Sequence, residues 1–355
     1  MSIALGIPSF QNREQSEPLS QQMPTSGALV DIHGRIATDL RVSLTDRCNL
    51  RCTYCMPANG LPWLRDEAKL TTDEYVRLLE IAVTRLGITS IRFTGGEPLV
   101  SPGLLSAVAS ASALRPRPEI ALTTNGIGLA DRATSLRRAG LNRVNVSLDT
   151  IDQARFLRIT RRDRVGAVVA GLAAAARAGL NPVKVNAVLH PETDMDDLLA
   201  LLRFCLDRDY QLRVIEQMPL DADGMWDRER LVTADSVIHA VKEHFEVQSD
   251  WRRRGSAPAE LFRIDGKAAA FGVIASVSQA FCGTCDRTRL TADGRIRSCL
   301  FSREEVDVRR LLRDGASDRD IENVWRMAMW SKPAGHGIDT AGFVQPTRPM
   351  SAIGG

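Results

Sequence analysis

The chain has 355 residues, of which 44% are hydrophobic and 25% are charged, a composition typical of globular proteins. Its net charge of +3 is the small difference between 46 basic and 43 acidic residues, so bulk charge gives little support for a nucleic-acid partner. The sequence contains no apolar run of about 18 residues and no secretion signal at its amino terminus. We therefore expect a cytoplasmic protein without a membrane or nucleic-acid partner.

Residues 1–30 are rich in Gln, Ser and Pro and predict a flexible amino-terminal extension. From Leu40 onward, strand-like runs alternate with amphipathic helical stretches. The predicted strands are LRVSLTD, SIRFTGGEP, EIALTTNG, NRVNVSLD, PVKVNAVLH and QLRVIEQMP. The predicted helices include 72–86, 129–139 and 165–178, each followed by glycine at or near its end. This alternation predicts an α/β fold with a parallel sheet, open or curled toward a barrel, and function at the carboxyl ends of its strands.

The pattern changes after about residue 225. Strand-like pieces lie near 271–277 and 288–297, and helical stretches near 306–313 and 321–330. We therefore divide the folded chain into a βα region, 31–225, and a smaller α+β region, 226–341. Residues 342–355 contain too much Gly and Pro for a regular element, and they predict an extended tail ending in Gly354 and Gly355.

Seven cysteines are present, an odd number that cannot pair completely within one chain. Cys48, Cys52 and Cys55 follow a predicted strand and place three soft thiolates on one loop. A cubane cluster held by three thiolates leaves one iron open to another ligand, whereas a structural zinc site takes four protein ligands. The alternative is a zinc loop completed by a distant His or a fourth Cys. The isolated Cys205 lies on an apolar helix face and predicts a core residue.

Cys282, Cys285 and Cys299 form a second group of three thiolates. Their Cys-x2-Cys pair is also common in zinc sites, so the alternative is half of a zinc ribbon that stabilises the carboxy-terminal region. The nearest downstream imidazole is that of His336.

Several segments together resemble the GTP 3′,8-cyclase family of the radical S-adenosylmethionine (SAM) superfamily. They are DLRVSLTDRCNLRCTYCMP, TGGEP, NVSLD, CGTCDRTRLTADGRIRSCL and the terminal Gly354 and Gly355. The resemblance covers nearly the whole chain after the first thirty or so residues. It implies a partial (βα)6 barrel that carries SAM and one [4Fe-4S] cluster. The smaller carboxy-terminal region would carry a second [4Fe-4S] cluster.

The resemblance also implies functional positions. The metal ligands would be Cys48, Cys52, Cys55, Cys282, Cys285 and Cys299. The SAM contacts would be Tyr54, Gly96, Ser147 and Met218. The GTP contacts would be Arg41, Arg92, Thr123, Lys184, Arg287, Thr288 and Arg289. The catalytic positions would be Arg287, Arg289, Gly354 and Gly355. The residue types suit these roles, because guanidinium groups bind phosphates and glycines permit close backbone approach.

The implied activity is that of a lyase that converts GTP to (8S)-3′,8-cyclo-7,8-dihydroguanosine 5′-triphosphate, the first step of molybdenum cofactor (molybdopterin) biosynthesis. The implied partners are an unidentified electron donor and cyclic pyranopterin monophosphate synthase as the next pathway enzyme. The assembly would be a monomer or a homodimer. One alternative is another radical SAM enzyme with an auxiliary cluster, such as a peptide modifier. A zinc-stabilised binding module without catalysis is a different class, and TGGEP and NVSLD argue against it.

Overall fold

The computed structural model describes residues 22–252 and 254–354. Most of the predicted extension, residues 1–21, lies outside the described residues. Its last residues belong to the fold, because Leu29 is fully buried and its backbone N–H donates to the carbonyl of Leu86 at 3.1 Å. The predicted extension therefore runs too far, since an apolar residue at position 29 packs into the core.

The strands follow the predicted pattern through the first half of the chain. They are β1 Leu29–Val30, β2 Ile36–Ala37, β3 Asp39–Ser43, β4 Ser90–Thr94, β5 Glu119–Thr124, β6 Arg143–Ser147, β7 Val183–Leu189, β8 Gln211–Glu216, β9 Val247–Ser249, β10 Glu260–Ile264, β11 Lys267–Ile274, β12 Arg287–Leu290, β13 Arg295–Arg297 and β14 Val306–Asp307. The predicted strand at 288–297 is a hairpin, β12 and β13, because the intervening Thr-Ala-Asp-Gly sequence forms a tight turn.

The helices lie between successive parallel strands and beyond the last of them. They are α1 Thr72–Thr84, α2 Leu104–Ala113, α3 Leu129–Ala139, α4 Gln153–Thr160, α5 Val165–Arg177, α6 Met195–Leu206, α7 Ala234–Lys242, α8 Val308–Arg313, α9 Asp318–Trp330 and α10 Met350–Ile353. Helix α1 begins at a capping box formed by Thr71 and Glu74, which satisfies free backbone donors of its first turn. Helix α10 corrects the prediction that the whole tail is extended.

The described residues form one large sheet in the order β14-β13-β12-β3-β4-β5-β6-β7-β8-β11-β10-β9. Strands β3 to β8 pair in parallel and in chain order, as the predicted βα alternation requires. Strand β12 pairs in parallel with β3, and β11 pairs in parallel with β8. The carboxy-terminal region therefore extends the same sheet on both sides and is not a separate layer.

The core lies between this sheet and the helices on its outer face. Cys205 is fully buried within it, in agreement with its predicted core role. Polar side chains face the other side of the central strands, including buried arginines on β3, β4, β8 and β12. Among the described residues, no helix combines the length and apolar character needed to cross a bilayer.

Candidate active site

The loop after β3 carries the first three cysteines. A tight turn closes it, with the backbone N–H of Cys55 and that of Met56 donating to the carbonyl of Cys52 at 3.0 and 3.1 Å. The Sγ of Cys48 accepts from the backbone N–H of Leu50 at 3.4 Å and from Asn125 Nδ2 at 3.9 Å. All three thiols line one cavity, here called the first cavity.

These thiols are held in their neutral form by their surroundings. Burial, together with charge repulsion from neighbouring groups, raises the pKa of Cys52 well above its ordinary value and that of Cys55 to about 12. A metal centre that binds thiolates reverses this preference. Within the described residues, no set of three or more His, Cys, Asp or Glu side chains converges as for a single metal ion. A cubane does not require such convergence, because each thiolate binds a different iron.

The TGGEP segment packs tightly against the start of the cysteine loop. Gly96 N donates to the carbonyl of Thr45 at 2.7 Å, and Glu97 N donates to that of Arg47 at 2.8 Å. A Cβ on Gly95 would lie 2.3 Å from the Thr45 carbonyl oxygen, and one on Gly96 would lie 2.4 Å from that of Arg47. The glycine pair is therefore required for contact between two loops of this chain, in addition to any close approach to a ligand.

Tyr54 is anchored by a buried carboxyl group that sequence analysis did not single out. Its hydroxyl donates to Asp149 Oδ2 at 2.8 Å, while the backbone N–H of Val188 donates to Asp149 Oδ1 at 2.8 Å. Burial raises the pKa of Asp149 above its ordinary value. This arrangement ties the cysteine loop to the ends of β6 and β7.

The four positions predicted to contact SAM all line the first cavity. They are Tyr54, Gly96, Ser147 and Met218. A second cavity adjoins it, and the two share a wall formed by Thr123, Asn186, Ile215, Met218 and Met350. The two cavities therefore lie next to each other on the inner side of the central strands.

The second group of cysteines lines the second cavity. Two cations lie beside Cys285. Lys332 Nζ is 3.4 Å and Arg287 Nη1 is 3.7 Å from its Sγ. Burial opposes ionisation, but these two cations lower the pKa of Cys285 below its ordinary value. His336 also lines this cavity, so the imidazole considered for a zinc site lies in the same cavity as the three thiols.

Buried cations dominate the rest of the second cavity. Arg289, Arg41 and Arg92 are register neighbours on β12, β3 and β4 and all face inward. Arg41 pairs with Asp39 at 2.9 Å; although burial opposes it, the nearby guanidinium groups lower the pKa of Asp39 to about 2. Burial, reinforced by the charges of neighbouring arginines, lowers the pKa of Lys184 to about 7.

The remaining positions predicted to contact GTP are not all brought to this cavity. Thr123 and Arg287 line it, whereas Lys184 lies two residues before Asn186 on the same face of β7, beyond the cavity wall. Thr288 points the other way, because side chains alternate along β12. Its hydroxyl is fully buried and accepts a hydrogen bond from Trp325 Nε1 at 3.0 Å. The Thr288 side chain therefore packs α9 onto the sheet, and a contact of this residue with GTP stays a prediction.

Comparisons with known proteins agree with this geometry. Residues 42–205 match the family described as Radical SAM superfamily, and residues 210–338 match the one described as Molybdenum Cofactor Synthesis C. A protein of Mycobacterium sp. strain KMS named GTP 3′,8-cyclase is 65% identical over 351 residues, or 99% of each chain. One of Mycolicibacterium smegmatis with the same name is 63% identical over 357 residues, again 99% of each chain. The chain belongs to the GTP 3′,8-cyclase family.

Membership in this family makes the chain a radical SAM enzyme, whose cofactors are SAM and a cysteine-bound iron–sulfur cluster. Among solved structures, that of Streptococcus suis SuiB bound to S-adenosylmethionine is similar in fold, with a TM-score of 0.57 and 14% sequence identity. It covers 87% of this chain, and this chain covers 67% of it. The predicted radical SAM barrel with a carboxy-terminal extension is confirmed at the level of fold.

Two cations of this family member were missed by sequence analysis. Arg213 lies on β8, lines the second cavity and donates to Asn186 Oδ1 at 2.7 and 3.0 Å. Lys332 follows α9 and donates to the carbonyls of Cys285 and Arg287, both at 2.9 Å. Arg213 is a charged residue in the middle of a predicted strand, QLRVIEQMP, and this position could have indicated a cation that faces the site. Lys332 offered none, because only tertiary packing brings α9 to the cysteines.

The carboxy-terminal tail packs against the site, and its Met350 lines both cavities. The carbonyl of Ile353 accepts from Ser43 Oγ at 2.8 Å, and that of Gly354 accepts from Arg289 Nη1 at 2.5 Å. Gly354 has a φ of +83°, a conformation that favours glycine. Gly355, predicted to be catalytic, lies outside the described residues.

Gly354→Ala is expected to release this tail. The new Cβ would lie 2.3 Å from Ser43 Oγ and 2.7 Å from Thr94 Cγ2. We expect amide exchange at residues 350–354 to accelerate at least about tenfold, measured by hydrogen–deuterium exchange mass spectrometry. Gly342→Ala is the matched control, because Gly342 has a φ of +82° but nothing within 4 Å of its added Cβ. Equal exchange at residues 350–354 in both variants would contradict tight packing of the tail.

Proposed function

We propose that this chain converts GTP to (8S)-3′,8-cyclo-7,8-dihydroguanosine 5′-triphosphate by radical SAM chemistry, as a lyase in molybdenum cofactor biosynthesis. One observation carries the proposal: the two groups of three cysteines line adjoining cavities, and buried arginines line the second of these cavities. Full-length relatives with the cyclase name support the same conclusion. These relatives disfavour the two alternatives, a peptide modifier and a zinc-stabilised binding module.

In this proposal Cys48, Cys52 and Cys55 hold the first [4Fe-4S] cluster, beside a SAM pocket formed by Tyr54 and the other predicted SAM contacts. When bound, the cluster and SAM would supply the radical chemistry that removes hydrogen from the ribose 3′ carbon of GTP; closure of the ring onto guanine carbon 8 would then take up one further electron and one proton from a reductant. The chain's task is orientation, because Asp149 fixes Tyr54 and thereby the loop between Cys52 and Cys55. Met350 and Ser351 close the first cavity next to this loop.

Cys282, Cys285 and Cys299 hold the second [4Fe-4S] cluster in this proposal. The cations beside Cys285 favour its thiolate, which is the form that binds iron. An iron without a protein ligand would face the same cavity as the arginines, where it could bind the guanine base of GTP.

The buried cations bind the triphosphate. Arg41, Arg92 and Arg289 form a row in which like charges are adjacent, so an anion that lies across them relieves their repulsion. Arg213 adds a further guanidinium to the same wall. Arg287 and Arg289 are the proposed catalytic cations, and Arg289 also holds the tail through the carbonyl of Gly354. The product would pass to cyclic pyranopterin monophosphate synthase as the next pathway enzyme.

The test of this function is the formation of 5′-deoxyadenosine. We expect the anaerobically reconstituted chain to release it from SAM in the presence of GTP and a reductant, together with the cyclised nucleotide, both measured by liquid chromatography and mass spectrometry. Cys52→Ala is expected to abolish both products, because it removes one cluster ligand. Cys205→Ala, which removes a buried thiol outside the site, should retain them. Product formation by Cys52→Ala would refute the cofactor assignment.

His336→Ala distinguishes a second iron–sulfur cluster from a zinc site. If three thiolates hold a cubane, the variant keeps about eight iron atoms per chain after reconstitution, because imidazole is not a ligand. Cys282→Ala is the positive control and should lose about half of the iron. Zinc bound in the wild type and lost from His336→Ala, measured by elemental analysis, would instead establish a site with three cysteines and one histidine.

GTP binding should weaken as pH rises through neutrality. Lys184 has a pKa of about 7 in the free protein. It lies outside the cavity lining, but its charge interacts with those of Arg92 and Arg213, which line the cavity, so a triphosphate bound there favours the charged form of Lys184. Binding above pH 7 therefore takes up a proton, and we expect the dissociation constant to increase about tenfold between pH 7 and pH 8.5. Calorimetry in buffers of different ionisation enthalpy measures the number of protons taken up when GTP binds. Lys184→Arg keeps its charge and should show less pH dependence; an unchanged slope would contradict the role of Lys184.

A further inference from the structure

An arginine-rich surface lies beside the first cysteine loop. Helix α4 and the residues after it contribute four of its members, and the loop contributes the fifth. The surface, here called the arginine face, consists of Arg51, Arg158, Arg161, Arg162 and Arg164. This local excess contrasts with the whole chain, in which 46 basic residues are nearly balanced by 43 acidic ones.

The arginine face is joined directly to the loop that holds the cysteines. The backbone N–H of Thr53 donates to the carbonyl of Ile159, and that of Arg51 donates to the carbonyl of Thr160, both at 3.0 Å. The guanidinium of Arg161 donates to the carbonyls of Arg51 and Met56, both at 3.1 Å. Few covalent and hydrogen bonds therefore separate this surface from Cys52 and Cys55.

None of the five arginines forms an ion pair among the described residues, so their charges outnumber the single exposed carboxylate within the face, that of Asp163. Arg158 also borders a cavity lined by Glu192, Asp194 and Asp197. Neighbouring Arg155, by contrast, pairs with Asp194. Arg158, Arg162 and Arg164 are exposed, and so are Leu157 and Thr53 at the same surface. Adjacent unpaired cations repel one another, so their arrangement favours an external anionic surface.

We infer that the arginine face is the docking site of a small acidic electron-carrier protein. The inference rests on the proposed function, because the reaction begins with one-electron reduction of the cofactor held by Cys48, Cys52 and Cys55. One electron leaves the reduced carrier, which is thereby oxidised, and enters that cofactor. Guanidinium groups match the carboxylates of an acidic partner, and interfaces of electron-transfer proteins are small and transient. Charge complementarity of this kind mainly accelerates association.

Binding tests the inference without depending on turnover. The probe is a recombinant flavodoxin, an acidic flavoprotein, titrated against the full-length reconstituted chain at low and physiological salt. Arg158→Glu combined with Arg162→Glu should raise the dissociation constant at least about tenfold at low salt. The control combines Arg138→Glu with Arg319→Glu, which changes the charge equally at exposed positions on α3 and α9. It should change the dissociation constant less than about twofold.

Reduction by two routes completes the test. The variant at the arginine face should lose flavodoxin-driven formation of 5′-deoxyadenosine about tenfold, while reduced methyl viologen, a small cation, should support an undiminished rate. The inference would be overturned if the variant lost 5′-deoxyadenosine formation equally with flavodoxin and with methyl viologen, or if it lost none with flavodoxin. Tighter binding of a DNA or RNA oligonucleotide than of flavodoxin at this face would also overturn it. If the wild type yields no 5′-deoxyadenosine by either route, the proposed function fails, and the binding measurement still decides the docking site.

Discussion

The site depends on like charges held side by side inside the barrel. Arg289, Arg41 and Arg92 occupy equivalent register positions on three neighbouring strands, and all three are buried. Asp39 balances only part of this charge. Such a row destabilises the free protein, and the surrounding hydrophobic packing offsets its cost. The same repulsion favours the binding of a polyanion, as proposed above for the triphosphate of GTP.

The order of the strands makes one site from two sequence regions. Because β12 pairs with β3, Arg289 and the nearby Cys285 lie beside Arg41 from the start of the barrel. Because β11 pairs with β8, the other side of the sheet also continues into the carboxy-terminal region. The division at about residue 225 describes a change in the sequence pattern, whereas the fold and the cavity continue across it.

Glycines at the site serve close packing. Gly95 and Gly96 allow the TGGEP segment to contact the backbone before the first cysteines, and Gly354 allows the tail to contact Ser43 and Thr94. The tail also places Met350 and Ser351 in the lining of the first cavity. Enclosure of this kind protects reactive intermediates from side reactions. The electron needed for the reaction must then enter from outside, which makes the exposed face nearest the cysteine loop important.

Local periodicity and spacing along the chain were enough to predict the strand and helix pattern of the barrel, the two groups of cysteines and the family. The contacts of Arg213, Lys332 and Asp149 became visible in the fold alone, since their partners lie on segments distant in sequence. The fold also turned the Thr288 side chain away from the cavity and placed the carbonyl of Gly354 against Arg289. Side-chain direction and long-range contact follow from strand register, and no single segment specifies that register.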